Sequence, residues 1–315
     1  MGRRAGVAAK ENTLLENRKL VFIVGSARSG TNWLRRLLSQ SPDVATGPET
    51  HLFSSYLLSL DETWRRHQGT RVGLSHLISE DELFEWTRSF SELCLGRLAN
   101  ARPDASIIVE KTPKHGEHAA RILKLFPDAF FIHIIRDPRA VVPSLRAASR
   151  SWGSSWAPGR VGDASRKWLR DVANAQAVTS LTERYTEVKY EDLHADGVGE
   201  IMRLFAWLGE PVERAEAEAY VAASSFEKVR PKAASAADVD AQFFRRGEVD
   251  SWRRELSGSD IAIIERLTRK QMAALGYEPV ASRRDRMVAE ARLQAYRAAD
   301  KLTKAMRAGA DRIKP

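Results

Sequence analysis

The segment LVFIVGSARSGTNWLRRLLSQ, residues 20–40, reads as a strand, a glycine-bounded loop and the start of an amphipathic helix. Leu20 to Val24 are large and apolar without alternation, the pattern of a strand buried on both faces of a parallel sheet, and Gly25 ends it. Trp33, Leu34, Leu37 and Leu38 recur at helical spacing, which puts Ser29, Gly30, Thr31 and Asn32 at the helix start. There the unpaired backbone N–H groups and the positive dipole end face an anion. Gly25 and Gly30 bracket four residues as in a nucleotide-triphosphate loop, yet Thr31 and Asn32 stand where such a loop carries its lysine and its magnesium-binding hydroxyl. ATP with magnesium is therefore disfavoured, which weakens a P-loop kinase reading, and Arg28 supplies the cation within the loop.

Two further segments extend this pattern. AFFIHIIRDPRAVVPSL, residues 129–145, is a second buried-strand run, with Asp137 placed to cap a helix and Pro138 in its first turn. Arg136 thus falls at the carboxyl end of a strand, where open α/β sheets bind ligands. Ser144 lies roughly 9 Å up that helix at about 1.5 Å rise per residue, within reach of an anion shared with a long Arg. Pro143 removes a hydrogen bond there and makes the register of Ser144 less secure than that of Arg136. FFRRGEVDSWRREL, residues 243–256, adds Arg245 and Arg246 beside Gly247, which permits close backbone approach to a ligand.

Taken together, the three segments resemble the sulfotransferases that use 3′-phosphoadenosine 5′-phosphosulfate (PAPS), over roughly residues 20–256. The resemblance implies that Arg28, Ser29, Gly30, Thr31, Asn32 and Trp33 hold the 5′-phosphosulfate and that Arg136 and Ser144 hold the 3′-phosphate. It also implies that the loop with Arg245, Arg246 and Gly247 closes over the nucleotide. YEDL, residues 190–193, after the strand-like TEVKY, is similar to a recurring segment of the family. Adenine needs an apolar or aromatic slot, for which Tyr190 and Trp168 are candidates, core packing being the competing reading for Trp168.

PETHLF, residues 48–53, and EKTPKHG, residues 110–116, resemble the carbohydrate and protein-tyrosine sulfotransferases more than the cytosolic phenol and steroid enzymes. The corresponding base is then Glu49, and Lys111 is the residue that contacts the transferring group. An alcohol is a poor nucleophile at neutral pH, so a carboxylate within hydrogen-bond reach must take its proton. Arg28, Lys111 and the helix-start N–H groups would stabilise the charge gained by the departing phosphate. His51 and His115 are the alternative bases or acceptor-pocket residues. The motif set requires no metal. The acceptor is expected to be a carbohydrate, a tyrosyl or phenolic group or a small metabolite, with Trp64, Trp86, Trp152 and Trp156 as candidates to line its cleft.

Motifs running from residue 25 to residue 247 require one nucleotide domain to use most of the 315 residues, so the expected organisation is a basic N-terminus at 1–18, a domain at 19–280 and a helical extension at 281–315. Strands are expected near 20–24, 106–109, 129–135 and 185–189. Helices are expected at 30–40, 80–99, 116–125, 138–149, 163–183, 198–208, 213–223 and 259–275. This alternation predicts an α/β fold with a mostly parallel central sheet flanked by helices, of the P-loop-like kind the resemblance implies. The net charge of +9 raises a nucleic-acid reading, but much of it is assigned to an anionic nucleotide and to basic termini, and no nucleic-acid motif is present. A non-catalytic nucleotide-binding protein is the other competing class. It would keep the anion sites and tolerate loss of Glu49.

The single Cys94 fits a reducing compartment, no apolar run approaches the roughly 20 residues of a membrane span, and the first 18 residues lack a signal core. The expectation is a cytoplasmic enzyme of bacterial type. Within 281–315, Val288, Ala291, Ala295, Ala299, Leu302 and Met306 draw an apolar stripe, with Leu293 and Tyr296 off it. Such a stripe can pack on the domain, pair two copies as a homodimer, or contact an anionic membrane surface peripherally.

Overall fold

A computed structural model describes residues 15–224 and 248–311. Five strands form its sheet: β1 (Lys19–Gly25), β2 (Val44–Thr46), β3 (Ile107–Lys111), β4 (Phe130–Ile135) and β5 (Tyr185–Lys189). Their order is β2-β3-β1-β4-β5, and every pairing is parallel. The four strands expected from sequence are present. β2 escapes the pattern because Val-Ala-Thr is too short to show a period.

The helices, in chain order, are α1 (Thr31–Leu38), α2 (Leu57–His67), α3 (Glu80–Gly96), α4 (Ala119–Leu125), α5 (Pro138–Ser149) and α6 (Val161–Gln176). They continue as α7 (Tyr190–Ala195), α8 (Gly197–Trp207), α9 (Arg214–Ala223), α10 (Trp252–Glu255), α11 (Gly258–Ala274) and α12 (Arg283–Asp311). All eight expected helices appear, and α2, α7 and α10 are additional. α5 begins as the sequence reading has it, with Asp137 Oδ1 accepting from the Arg139 N–H at 2.8 Å. It runs unbroken through Pro143. A proline so close to the helix start removes only a bond back to Arg139.

Strand residues alternate between two cores. Val21, Ile23, Ile107, Val109, Ile132 and Ile134 pack with α1 and α8, while Phe22, Val24, Ile108 and Phe131 pack on the other face with α4 and the end of α6. A third core lies beside the sheet, where Trp168 of α6 and Trp252 of α10 meet α5 and α11. Since β1 leads towards β2 and β3 on one side while β4 leads to β5 on the other, a crevice opens at the carboxyl ends of β1 and β4, the switch point where open sheets bind ligands. Gly25 pairs with Ile134 across it, at φ 139°, where a Cβ would fall 2.5 Å from the Ile134 carbonyl oxygen.

α12 does not turn the stripe read from the sequence towards the protein. Ala289 and Leu293 are buried in the third core with Tyr296 against it, whereas Val288, Ala291, Ala295 and Ala299 are exposed. Counting apolar residues favoured the alanine-rich side, but burying Leu293 and one face of Tyr296 removes more apolar area from water. Leu302 and Met306 lie outside the described side chains.

Candidate active site

The loop between β1 and α1 is held in conformations that side chains rarely adopt. Arg28 has φ 76° and Gly30 has φ 98°. A Cβ on Gly30 would lie 2.5 Å from the Tyr190 ring, so the residue must be glycine for both reasons. Arg28 Nε donates to Ser144 Oγ at 2.9 Å, joining this loop to α5, and its guanidinium lies 5.7 Å from the Trp152 ring centroid.

Arg136 leaves the end of β4 with its guanidinium 3.9 Å from the Tyr190 ring centroid and one Nη donating to the Glu248 carbonyl at 3.1 Å. Its buried Nε has no hydrogen-bond partner among the described residues. The Trp168 indole donates to the Arg136 carbonyl at 3.0 Å and is fully buried. Trp168 is therefore core and a brace for the strand end; it forms no adenine slot. Tyr190, packed edge-on to Trp33 at 5.2 Å, does face the crevice.

Glu49 lies in the loop after β2. Its two carboxylate oxygens meet Lys111 Nζ and, at 3.4 Å, His51 Nε2. Lys111, on the α1 side of β3, is 3% exposed; burial lowers its ammonium pKa and Glu49 opposes that shift. His51 has φ 50° and stands half-exposed beside Glu49. His115 is fully buried. Its Nδ1 bonds Glu110 at 2.8 Å and its Nε2 accepts from the Phe53 N–H at 3.3 Å, so it neither lines the cleft nor can act as a base.

One cavity of about 680 Å³ gathers Arg28, Gly30, Thr31, Asn32, Trp33, Glu49, Arg136, Ser144 and Tyr190. Ser29 and Lys111 are buried and do not line it. Arg245, Arg246 and Gly247 lie outside the described residues. Of the four tryptophans read as acceptor candidates, Trp152 and Trp156 line the cavity with ring centroids 5.4 Å apart. Trp64 is buried elsewhere, and Trp86 stacks on Phe90 at the surface.

Sequence reasoning missed the contribution of α6. Asp171 lines the cavity, accepting from Ser26 Oγ at 3.0 Å and from Lys167 Nζ at 2.9 Å, with its carboxyl pKa raised by burial. Only the i, i+4 spacing of Lys167 and Asp171 signalled this pair, and such spacing usually marks an exposed helix face.

The model of the sulfotransferase family matches residues 21–214. Protein-tyrosine sulfotransferase 1 of Rattus norvegicus is 30% identical over 145 residues, covering 45% of this chain and 38% of that protein. The nodulation protein NoeE of Sinorhizobium fredii is 27% identical over 294 residues, covering 82% of this chain and 66% of NoeE. The matched part thus spans well under half the length of the tyrosine sulfotransferase. Among solved structures, mouse sulfotransferase SULT7A1, complexed with PAP, superposes with a TM-score of 0.56 at 16% identity, covering 89% of this chain and 94% of that one. The family match takes in β2 to β5, all but the first two residues of β1, and the loop and α1 that follow it, and the chain belongs to the sulfotransferase family.

Proposed function

We propose that this chain transfers the sulfuryl group of PAPS to an acceptor hydroxyl, with Glu49 as general base. The observation that carries the reading is the convergence of Arg28, Arg136, Ser144 and Glu49 on one cavity at the carboxyl ends of β1 and β4. The residues fit a doubly anionic nucleotide. Gly30 opens the loop to close approach, the first N–H groups of α1 lack intrahelical partners, and the buried Arg136 Nε has no acceptor among the described residues. Arg28 and the α1 amides would hold the 5′-phosphosulfate, while Arg136 and Ser144 would hold the 3′-phosphate. Tyr190 and Trp33 would offer the base an aromatic wall.

When bound, the donor supplies an electrophilic sulfur with a phosphate leaving group. The acceptor oxygen bonds to sulfur as the bond from sulfur to the 5′-phosphate oxygen breaks, and the acceptor proton passes to Glu49. Arg28 and the α1 amides stabilise the charge developing on the phosphate without reorganising. Lys111 serves this step from behind, by fixing Glu49 through its Oε1. Trp152 and Trp156 suit the flat faces of a sugar or phenol ring, and the likeness to a protein-tyrosine sulfotransferase supports a phenolic hydroxyl. The lone Cys94 supports a reducing, cytoplasmic setting.

Glu49→Gln tests the reading. Release of 3′-phosphoadenosine 5′-phosphate (PAP) from PAPS should fall by about 10²–10⁴-fold while PAP still binds with unchanged affinity. Turnover that survives the substitution would remove Glu49 from the chemistry.

A further inference from the structure

In the loop that follows Glu49, four consecutive backbone amides are received by Glu110 or by a group that Glu110 orients. Thr50 N–H donates directly to Glu110 Oε1 at 3.2 Å. His51 N–H donates to Thr112 Oγ1 at 3.3 Å, and that hydroxyl donates to Glu110 Oε1 at 2.6 Å. Leu52 N–H donates to Thr50 Oγ1 at 3.2 Å, and this hydroxyl donates to Glu110 Oε1 at 2.9 Å. Phe53 N–H donates to His115 Nε2 at 3.3 Å, and His115 Nδ1 donates to Glu110 Oε2 at 2.8 Å. The Glu110 and His115 side chains are entirely buried, and the loop they hold includes His51 at φ 50°. A buried carboxylate is costly unless fully bonded, and here both oxygens are occupied.

We propose that Glu110 is a positioning residue for the reaction, clamping the 50–53 backbone so that Glu49 and His51 face the acceptor. The proposal rests on the sulfuryl-transfer reading above, because its consequence is counted in turnover. An apolar side chain under the loop could fill the same space but would leave the Thr50 N–H and both threonine hydroxyls without their acceptor. What the carboxylate adds is direction. As an acceptor only, it fixes both threonine hydroxyls as donors towards itself and His115 as the tautomer with its proton on Nδ1, which leaves three acceptors aimed at three amides. Burial alone would raise the Glu110 carboxyl pKa, but the electrostatic effect of His115 and the hydrogen bonds from His115, Thr112 and Thr50 together hold it below its ordinary value.

Glu110→Gln changes little in shape but puts an amide NH₂ where a carboxylate oxygen stood. Facing His115 Nδ1, this group forces the ring proton onto Nε2, against the Phe53 N–H. Three quantities are measured on the full chain. They are amide hydrogen exchange in peptides covering residues 48–56, PAP affinity by calorimetry, and PAP release from PAPS with water or 4-nitrophenol as acceptor. Exchange should rise at least about tenfold in that segment and turnover should fall about 10–100-fold, the scale of a 1 Å misplacement, while PAP affinity stays within about twofold. Thr50→Val, which removes only the relay to the Leu52 amide, should lower turnover about fivefold and decides the matter if Glu110→Gln does not melt cooperatively. Unchanged turnover in a folded variant, or PAP affinity lost in step with turnover, overturns the proposal. A wild-type chain that neither binds PAP nor releases it from PAPS contradicts the sulfuryl-transfer reading itself, while the exchange experiment still reports whether Glu110 holds the loop.

Discussion

Gly30 is a single residue on which two constraints meet, a left-handed backbone and contact with the Tyr190 ring. Gly30→Ala should cost about 1–3 kcal/mol in urea unfolding and weaken PAP binding, because relief of the clash shifts either the loop or Tyr190, which carries Arg136 on its face. A variant as stable as wild type would show that the loop does not need its observed conformation. At this scale the sequence was most legible where backbone chemistry and charge coincide, as at Arg28, Gly30 and Arg136. It was least legible where a role depends on which neighbour a side chain meets. His115 and Trp168 are both polar-tipped residues beside a motif, and each turned out to spend its polar atoms inside the protein. Lys111 could be located from its motif, but not that its ammonium is committed to Glu49.

The strands and helices that line the cavity were readable because each is long enough to show its period, β1 and α1 above all. β2 and α7 are too short for that, and α12 carries two competing apolar faces. The β4–β5 pair yields a prediction of its own. His133 on β4 is fully buried, its Nδ1 bonding the Tyr185 hydroxyl at 2.7 Å, and that hydroxyl donates to Glu187 on β5 at 2.7 Å. Burial lowers the His133 pKa below its ordinary value, with Glu187 opposing. Below about pH 6.5 the unfolded chain takes up a proton that native His133 refuses, so stability is present above that pH and declines as pH falls towards the native value. Thermal or urea melts at pH 7.5 and 5.5 should show wild type losing more stability than His133→Phe, by up to about 1.4 kcal/mol per pH unit. Equal losses would mean that other groups carry the pH dependence.

Across the whole molecule, Arg139 ties the strand end that bears Arg136 to the carboxyl-terminal helices. It pairs with Asp137 at 2.7 Å and with Glu265 of α11 at 3.0 Å, donates to the Glu278 carbonyl at 2.8 Å, and lies 4.4 Å from the Trp252 ring centroid. All three charged side chains are nearly inaccessible. Arg139→Met would leave two buried carboxylates without their cation and should cost about 3–5 kcal/mol, read by denaturant melts. A loss under about 1 kcal/mol would show that the pairing is dispensable. This hub ties α5 and α10 to α11, so the strand end that bears Arg136 is braced by a helix that carries none of the motifs. The most direct measurement is calorimetric titration with PAP, beside ATP and magnesium, of wild type and Arg136→Ala. Tight PAP binding that ATP does not match, weakened at least about tenfold in the variant, is the expected result. Absence of PAP binding, or binding of ATP with magnesium in its place, would contradict it.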